Sequence, residues 1–257
     1  MDGAPPPAMT LSPDIMLAPR KAHDLRVEVI HATGIDGARH ARGLVVVIDV
    51  LRAFTVSAYA LAGGARECRL VTDTAAAIAL AKRIPGALIC AEEDGLPIPG
   101  IPISNSPTQI KQTDMNNRIL VQRSSAGTQV AAAVPQELHM FAASLVVASA
   151  TVQACLLRRP RPTHLTLIAS ADHPEDHACA LYMEKIIRGE TPDAELLLEP
   201  LKQSERYARL VSGAWPGFPP SDLDLALTPD RFNFAMPVTR TNGHLTLTRA
   251  DPPTANS

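Results

Sequence analysis

The stretch Leu44-Val45-Val46-Val47-Ile48-Asp49-Val50-Leu51-Arg52 decides how the rest of the chain is read. Its first half is continuously aliphatic and mostly β-branched, with no polar alternation. Such a run is a strand covered on both faces, as in a parallel sheet. It stops on an acid, and a cation follows three residues later. Residues 53–61 are then helical in composition, and Gly63-Gly64 stops the helix.

Working outward, the same strand-then-helix plan recurs. Cys68-Arg69-Leu70-Val71 reads as a strand, and Thr72-Asp73-Thr74 offers N-caps for an Ala-rich helix that Pro85-Gly86 ends. Ala87-Leu88-Ile89-Cys90-Ala91 is a further buried strand. Residues 92–107 then run without periodicity through three acids and four prolines, a loop of the kind that carries function. Strands are predicted at 118–122, 141–147 and 164–169. Helices are predicted to open at Ser149-Ala150-Thr151 and Pro174-Glu175-Asp176, with a long amphipathic one over 193–212. Thr241-Asn242-Gly243 marks a hairpin. Upstream, Leu25-Arg26-Val27-Glu28-Val29-Ile30 alternates like an edge strand. Residues 1–24 read as a mobile Pro/Ala-rich leader and 251–257 as a tail. The fold expected for residues 25–250 is one α/β domain, with room for two subdomains, built on a mixed, largely parallel sheet flanked by helices.

Charge and cysteine usage narrow the function. Lys plus Arg number 24 against 26 Asp plus Glu, a formal net charge of −2, so no electrostatic footprint for nucleic acid exists. Cys68, Cys90, Cys155 and Cys179 are widely spaced within apolar stretches, which argues against a structural zinc site or disulfide framework and fits small buried hydrophobes. No apolar run reaches the ~18–20 residues of a membrane span, and residues 1–20 lack signal-peptide character. A cytoplasmic location is the expectation.

Chemistry is expected just beyond the strands, where α/β sheets gather ligands. Asp49 and Arg52 follow one strand, Glu92, Glu93 and Asp94 another. Arg123 and Ser124-Ser125-Ala126-Gly127-Thr128 follow a third, and Ser170, Asp172, Glu175 and Asp176 a fourth. If the sheet is mostly parallel, these groups share one rim. Asp49 reads either as a helix cap or as a ligand, and its rim position favours the ligand. Arg52 opposes the helix dipole unless it clamps an anion. The Ser124–Thr128 turn suits either a phosphate cradle or a plain cap, and so does Ser104-Asn105-Ser106-Pro107. His173 and His177, at i and i+4, read as exposed histidines for want of a third ligand.

These motifs, in order, resemble the 2-phosphosulfolactate phosphatase family. The likeness runs through Val45-Val46-Val47-Ile48-Asp49-Val50-Leu51-Arg52-Ala53, Ala62-Gly63-Gly64-Ala65, Ala91-Glu92-Glu93-Asp94-Gly95, Ser104-Asn105-Ser106-Pro107, Ser124-Ser125-Ala126-Gly127-Thr128, Glu175-Asp176 and Asp230-Arg231-Phe232. The resemblance implies a family-specific α/β fold, Mg²⁺ dependence, a homodimer, and hydrolysis of 2-phosphosulfolactate to sulfolactate and phosphate, a step towards coenzyme M in some organisms. On this reading Asp49, Glu92 and Asp176 hold the metal, while Asp49, Arg52, Glu92 and Glu175 are catalytic. Arg123, Asn105, Ser106, Ser124, Ser125, Gly127 and Thr128 bind a small anionic phosphoester. Three positions depart from the family pattern. Glu93 stands where arginine is usual, and Ala126 and Val147 stand where asparagine is common. A charge reversal at a substrate site is expected to change affinity by several kcal/mol, roughly. A phosphatase for a carboxylated phosphoester and a catalytically silent anion-binding homologue remain the alternatives.

Overall fold

The computed structural model describes residues 27–241 and 243–252, so the leader at 1–24 and the end of the tail, 253–257, lie outside the described residues. Ten strands form one sheet: β1 (Glu28–Thr33), β2 (Leu44–Ile48), β3 (Glu67–Val71), β4 (Leu88–Glu93), β5 (Leu96–Pro97), β6 (Ile119–Arg123), β7 (Met140–Ala143), β8 (His164–Ala169), β9 (Met236–Thr241) and β10 (His244–Leu247). The helices are α1 (Gly34–Arg39), α2 (Ala53–Ala62), α3 (Thr74–Lys82), α4 (Pro107–Lys111), α5 (Gly127–Ala133), α6 (Ala148–Leu157), α7 (Pro174–Ile187), α8 (Ala194–Leu197), α9 (Glu199–Lys202), α10 (Glu205–Val211) and α11 (Ser221–Ala226).

Every residue of β2 is buried, and its alternation feeds two different cores. Val45 and Val47 pack with α2 residues such as Phe54, whereas Leu44, Val46 and Ile48 pack with Val152, Cys179 and Met183 from α6 and α7. That two-sided burial is why the run carries no polar alternation. All four cysteines are free and buried, as small hydrophobes. Among the described residues no helix is long and apolar enough to cross a membrane.

The strand order is β1-β8-β2-β7-β9-β10-β3-β6-β4-β5. β1, β8, β2 and β7 are parallel, and so are β3, β6 and β4. Between the two groups, the pairs β7–β9, β9–β10 and β10–β3 are all antiparallel. The hairpin therefore reverses the sense, and β6 runs opposite to β2. A flat sheet would put their carboxyl ends on opposite edges. Twist of about 20–25° per neighbour, over the steps from β2 to β6, turns them by on the order of 100–125°. The sheet thereby wraps α2 and α5, each of which packs on strands of both groups. α2 is buried on nearly all sides, as such an enclosed helix must be.

Several sequence expectations need correction. Residues 141–147 split into β7 and a 3₁₀ turn, Leu145–Val147. The helix expected over 193–212 is three short ones, α8 to α10, because Pro200 and the Ser204 cap interrupt it. α1 and α11 were not anticipated. The expected hairpin is met by the antiparallel pairing of β9 and β10 from Thr241 and His244 outward, with Asn242 outside the described residues.

Candidate active site

Asp49 leaves β2 at the point where the two halves of the sheet converge. One carboxylate oxygen accepts the Ala53 N–H at 2.9 Å, the start of α2. The other accepts the Gly127 N–H at 2.9 Å, the start of α5. The cap that the sequence allowed is thus realised twice, with two helix N-termini aimed at one acid. Asp49 is only 4% exposed. Burial, with a smaller contribution from the Glu92 charge, raises its pKa to about 6.

Glu92, at the end of β4, is held in the same manner. Its Oε1 accepts the Ser125 N–H at 2.5 Å, and its Oε2 accepts the Gly95 N–H at 2.6 Å and the Ser125 hydroxyl at 3.2 Å. Arg123 supports this loop from beside the site, donating to the Glu92 carbonyl and to Ser125 Oγ. The Ser124–Thr128 turn closes on itself, since Ser124 N–H donates to Thr128 Oγ1 and Thr128 N–H to Ser124 Oγ. Of the two readings the sequence leaves open, the turn's own geometry is that of a cap. The amides of Ser125 and Gly127 are engaged by carboxylates, and among the turn's amides only Ala126 N–H has no described acceptor.

Arg52 is 5% exposed and pairs with Asp222 at 2.9 Å through Nη1, which also donates to the Gly217 carbonyl at 2.6 Å. Its guanidinium lies 4.3 Å from the Phe218 ring centre. Asp222 in turn accepts the Ser106 hydroxyl at 2.7 Å and the Thr108 N–H at 3.0 Å. Ser106 caps α4, with Pro107 in the first turn, as the sequence suggested. Asn105 sits beside it at φ 61° and accepts from Gln122 Nε2 at 3.1 Å.

From the α7 side, Asp176 reaches back to β2. It accepts the Val50 N–H at 2.8 Å and the Ser170 hydroxyl at 3.0 Å. Burial and the nearby Asp49 charge hold its carboxyl well above the usual range. Glu175, 1% exposed, pairs with Arg206 of α10 at 3.1 Å. Burial lowers the His173 pKa, and Arg206 adds to the effect.

These elements enclose a cavity of about 270 Å³ lined by Asp49, Arg52, Glu92, Asp94, Asn105, Ser124, Ser125, Ala126, His173, Arg206, Trp215 and Phe218, among others. Asp49, Arg52, Glu92, Asn105, Ser124 and Ser125 therefore meet as the sequence predicted. Arg123, Ser106, Gly127, Thr128, Glu175 and Asp176 stand behind the lining. Glu93 is 66% exposed in its side chain and faces Arg123 at 3.8 Å, away from the cavity. His173 is not simply exposed but lines the cavity, while His177 bonds Asp172 at 2.8 Å. Sequence reasoning missed Asp222, Arg206, Trp215 and Phe218. No local pattern marks them, because long-range packing alone brings them here.

The donor set matches a hard cation in chemistry but not in number. Buried carboxylates are the right chemistry for Mg²⁺, and the mutual repulsion of Asp49, Glu92 and Asp176 favours a positive charge among them. Among the described residues, however, no group of three His, Cys, Asp or Glu side chains could hold a metal ion. The residues fit an ion that takes one or two carboxylates and completes its shell with water and substrate oxygens, the habit of Mg²⁺. Asp49 and Glu92 are the two metal candidates that reach the cavity.

Fold and site together define an α/β protein with an acid-lined, helix-capped pocket where the strand ends converge. Residues 31–233 match the family model described as 2-phosphosulpholactate phosphatase, and the chain belongs to that family. Relatives include the probable 2-phosphosulfolactate phosphatases of Bacillus subtilis (35% identical, 56% of this chain and 64% of the relative), Deinococcus radiodurans (36%, 46% and 49%) and Thermoplasma acidophilum (27%, 73% and 82%). The match spans less than two thirds of the Bacillus and Deinococcus proteins.

Proposed function

We propose that this protein hydrolyses the phosphate ester of a small phosphorylated 2-hydroxy acid, with 2-phosphosulfolactate, giving sulfolactate and phosphate, as its substrate. The names of its relatives support the reaction class. The observation that carries the reading is the charge arrangement of the pocket. Asp49, Glu92 and Asp94 line it, while both lining arginines are already paired, Arg52 with Asp222 and Arg206 with Glu175. A phosphomonoester dianion entering such a pocket needs added positive charge.

A Mg²⁺ ion held by Asp49 and Glu92 would supply that charge and polarise a phosphoryl oxygen. The chain's own groups do the positioning. The amides of Ala53, Gly127, Gly95 and Ser125 fix the two carboxylates. Arg52 uses Nη1 on Asp222 and Gly217, leaving Nη2 for a phosphoryl oxygen, and Ala126 N–H is a second donor. Water activation falls to a carboxylate that reaches the pocket, which favours Glu92 over Glu175. We further read the protein as a cytoplasmic homodimer whose product is a coenzyme M precursor in organisms that make one.

Phosphate release from 2-phosphosulfolactate and 2-phospholactate, with chelator and then with added Mg²⁺, tests the reading. Release restored by Mg²⁺ is expected. Micromolar binding of either compound without any release would replace the hydrolase with a silent anion-binding protein.

A further inference from the structure

Arg206 is paired with Glu175 along one edge only, and the phosphoester reading gives its other edge no role. Arg206 comes from α10, not from the strand ends that carry Asp49 and Glu92, yet it lines the same cavity. Its Nε and Nη2 both contact Glu175 Oε1, at 3.2 and 3.1 Å. Glu175 Oε2 is buried and has no partner. The pair is therefore lopsided rather than fork-to-fork, and the guanidinium keeps donors on its other edge. Nη1 makes no hydrogen bond to a described residue. Trp215 flanks the group, its ring 5.9 Å from Arg206 and 4.7 Å from Arg209. The ring also closes against the acidic loop, since a Cβ on Gly95 would lie 3.1 Å from it.

We propose that Arg206 is the specificity-determining residue of this pocket, binding the second anionic group of the substrate, a sulfonate or carboxylate, while Glu175 acts as its positioning residue. The inference rests on the phosphoester reading given above. An arginine gripped along one edge by a buried acid is pre-organised, and its free edge presents two N–H groups to an oxyanion. The His173 imidazole lines the cavity beside it.

The test compares wild type with Arg206→Gln and Arg206→Lys on 2-phosphosulfolactate and on isopropyl phosphate, which lacks the second anion. Loss of a charge-assisted contact predicts a rise in KM of about 10- to 100-fold for the sulfonated ester in Arg206→Gln. The value of kcat should change by less than about threefold, and kcat/KM for isopropyl phosphate by less than about twofold. Arg206→Lys should fall between the two. Equal losses on both esters, or no loss on either, would overturn the assignment. Sulfolactate binding, read from Trp215, the only tryptophan of the chain, separates the two proposals. Saturable binding by wild type that weakens at least about tenfold in Arg206→Gln supports the role of Arg206 even without turnover. No binding by folded wild type overturns it, whatever becomes of the hydrolase.

Discussion

Asp49 Oδ2 accepts the Gly127 N–H at 2.9 Å, and this bond joins the ends of two strands that run in opposite senses. A Cβ on Gly127 would lie 2.6 Å from that oxygen and 3.1 Å from the Asp49 Cβ. Glycine is required by proximity, not by backbone conformation. Gly127→Ala should therefore push Asp49 out of place, cost about 1–3 kcal/mol by overpacking, and reduce kcat/KM at least about tenfold. Denaturant unfolding and phosphate-release kinetics check both effects.

The raised pKa of Asp49 has a sign that can be read in stability. Its carboxyl moves from 3.8 to about 6 on folding of the metal-free protein. The folded state thus binds the proton more tightly, and this favourable contribution, complete below pH 3.8, is lost as pH rises through 6. The difference of roughly two pKa units corresponds to about 3 kcal/mol. His173, whose pKa is lowered, acts in the opposite direction, and Asp176, raised in part by the Asp49 charge, in the same one, so comparing wild type with Asp49→Asn reads Asp49 together with its coupling to Asp176. The stability gap between them should move against wild type from pH 4 to pH 7. A gap independent of pH would remove the assignment.

The Arg52–Asp222 pair is buried at both ends. Removing one partner leaves an uncompensated charge, so Asp222→Ala should destabilise the protein by about 3–5 kcal/mol. It should also impair substrate binding, since Ser106 and the start of α4 lose their acceptor. Urea unfolding monitored by circular dichroism measures the first effect.

Glu93 faces solvent and Arg123. An exposed ion pair contributes about 0–1 kcal/mol. Glu93→Arg, which restores the residue usual in the family motif, should therefore leave KM within about threefold of wild type. The effect of several kcal/mol expected from sequence applies to a residue inside the pocket, and Glu93 is outside it.

Much of this architecture is legible in the sequence because local physics sets it. The aliphatic run of β2, the Ser106-Pro107 cap and the hairpin at 241–243 each carry a signal within a few residues. The acids at the strand ends were legible too, but the shared rim was inferred from parallel strands. The β9–β10 hairpin reverses half of the sheet, and only twist restores the meeting of Asp49 with Gly127. Pairing sense is a long-range property that no window of residues encodes. Arg206, Asp222 and Trp215 were invisible for the same reason: Asp222 meets Arg52 across 170 residues and Arg206 meets Glu175 across 31. The Ser124–Thr128 turn suits a phosphate cradle or a plain cap on sequence alone, and two of its amides face carboxylates, a choice fixed only by what packs opposite.

The central claim is that Asp49 and Glu92 hold a divalent cation against which the phosphoester binds. Titration of Mn²⁺, as a paramagnetic stand-in for Mg²⁺, followed by electron paramagnetic resonance, tests it directly in wild type, Asp49→Ala and Glu92→Gln. One ion per wild-type chain is predicted, bound more tightly when inorganic phosphate is present, with affinity reduced at least about tenfold in either variant. Equal Mn²⁺ affinity in all three proteins, each folded, would contradict the claim.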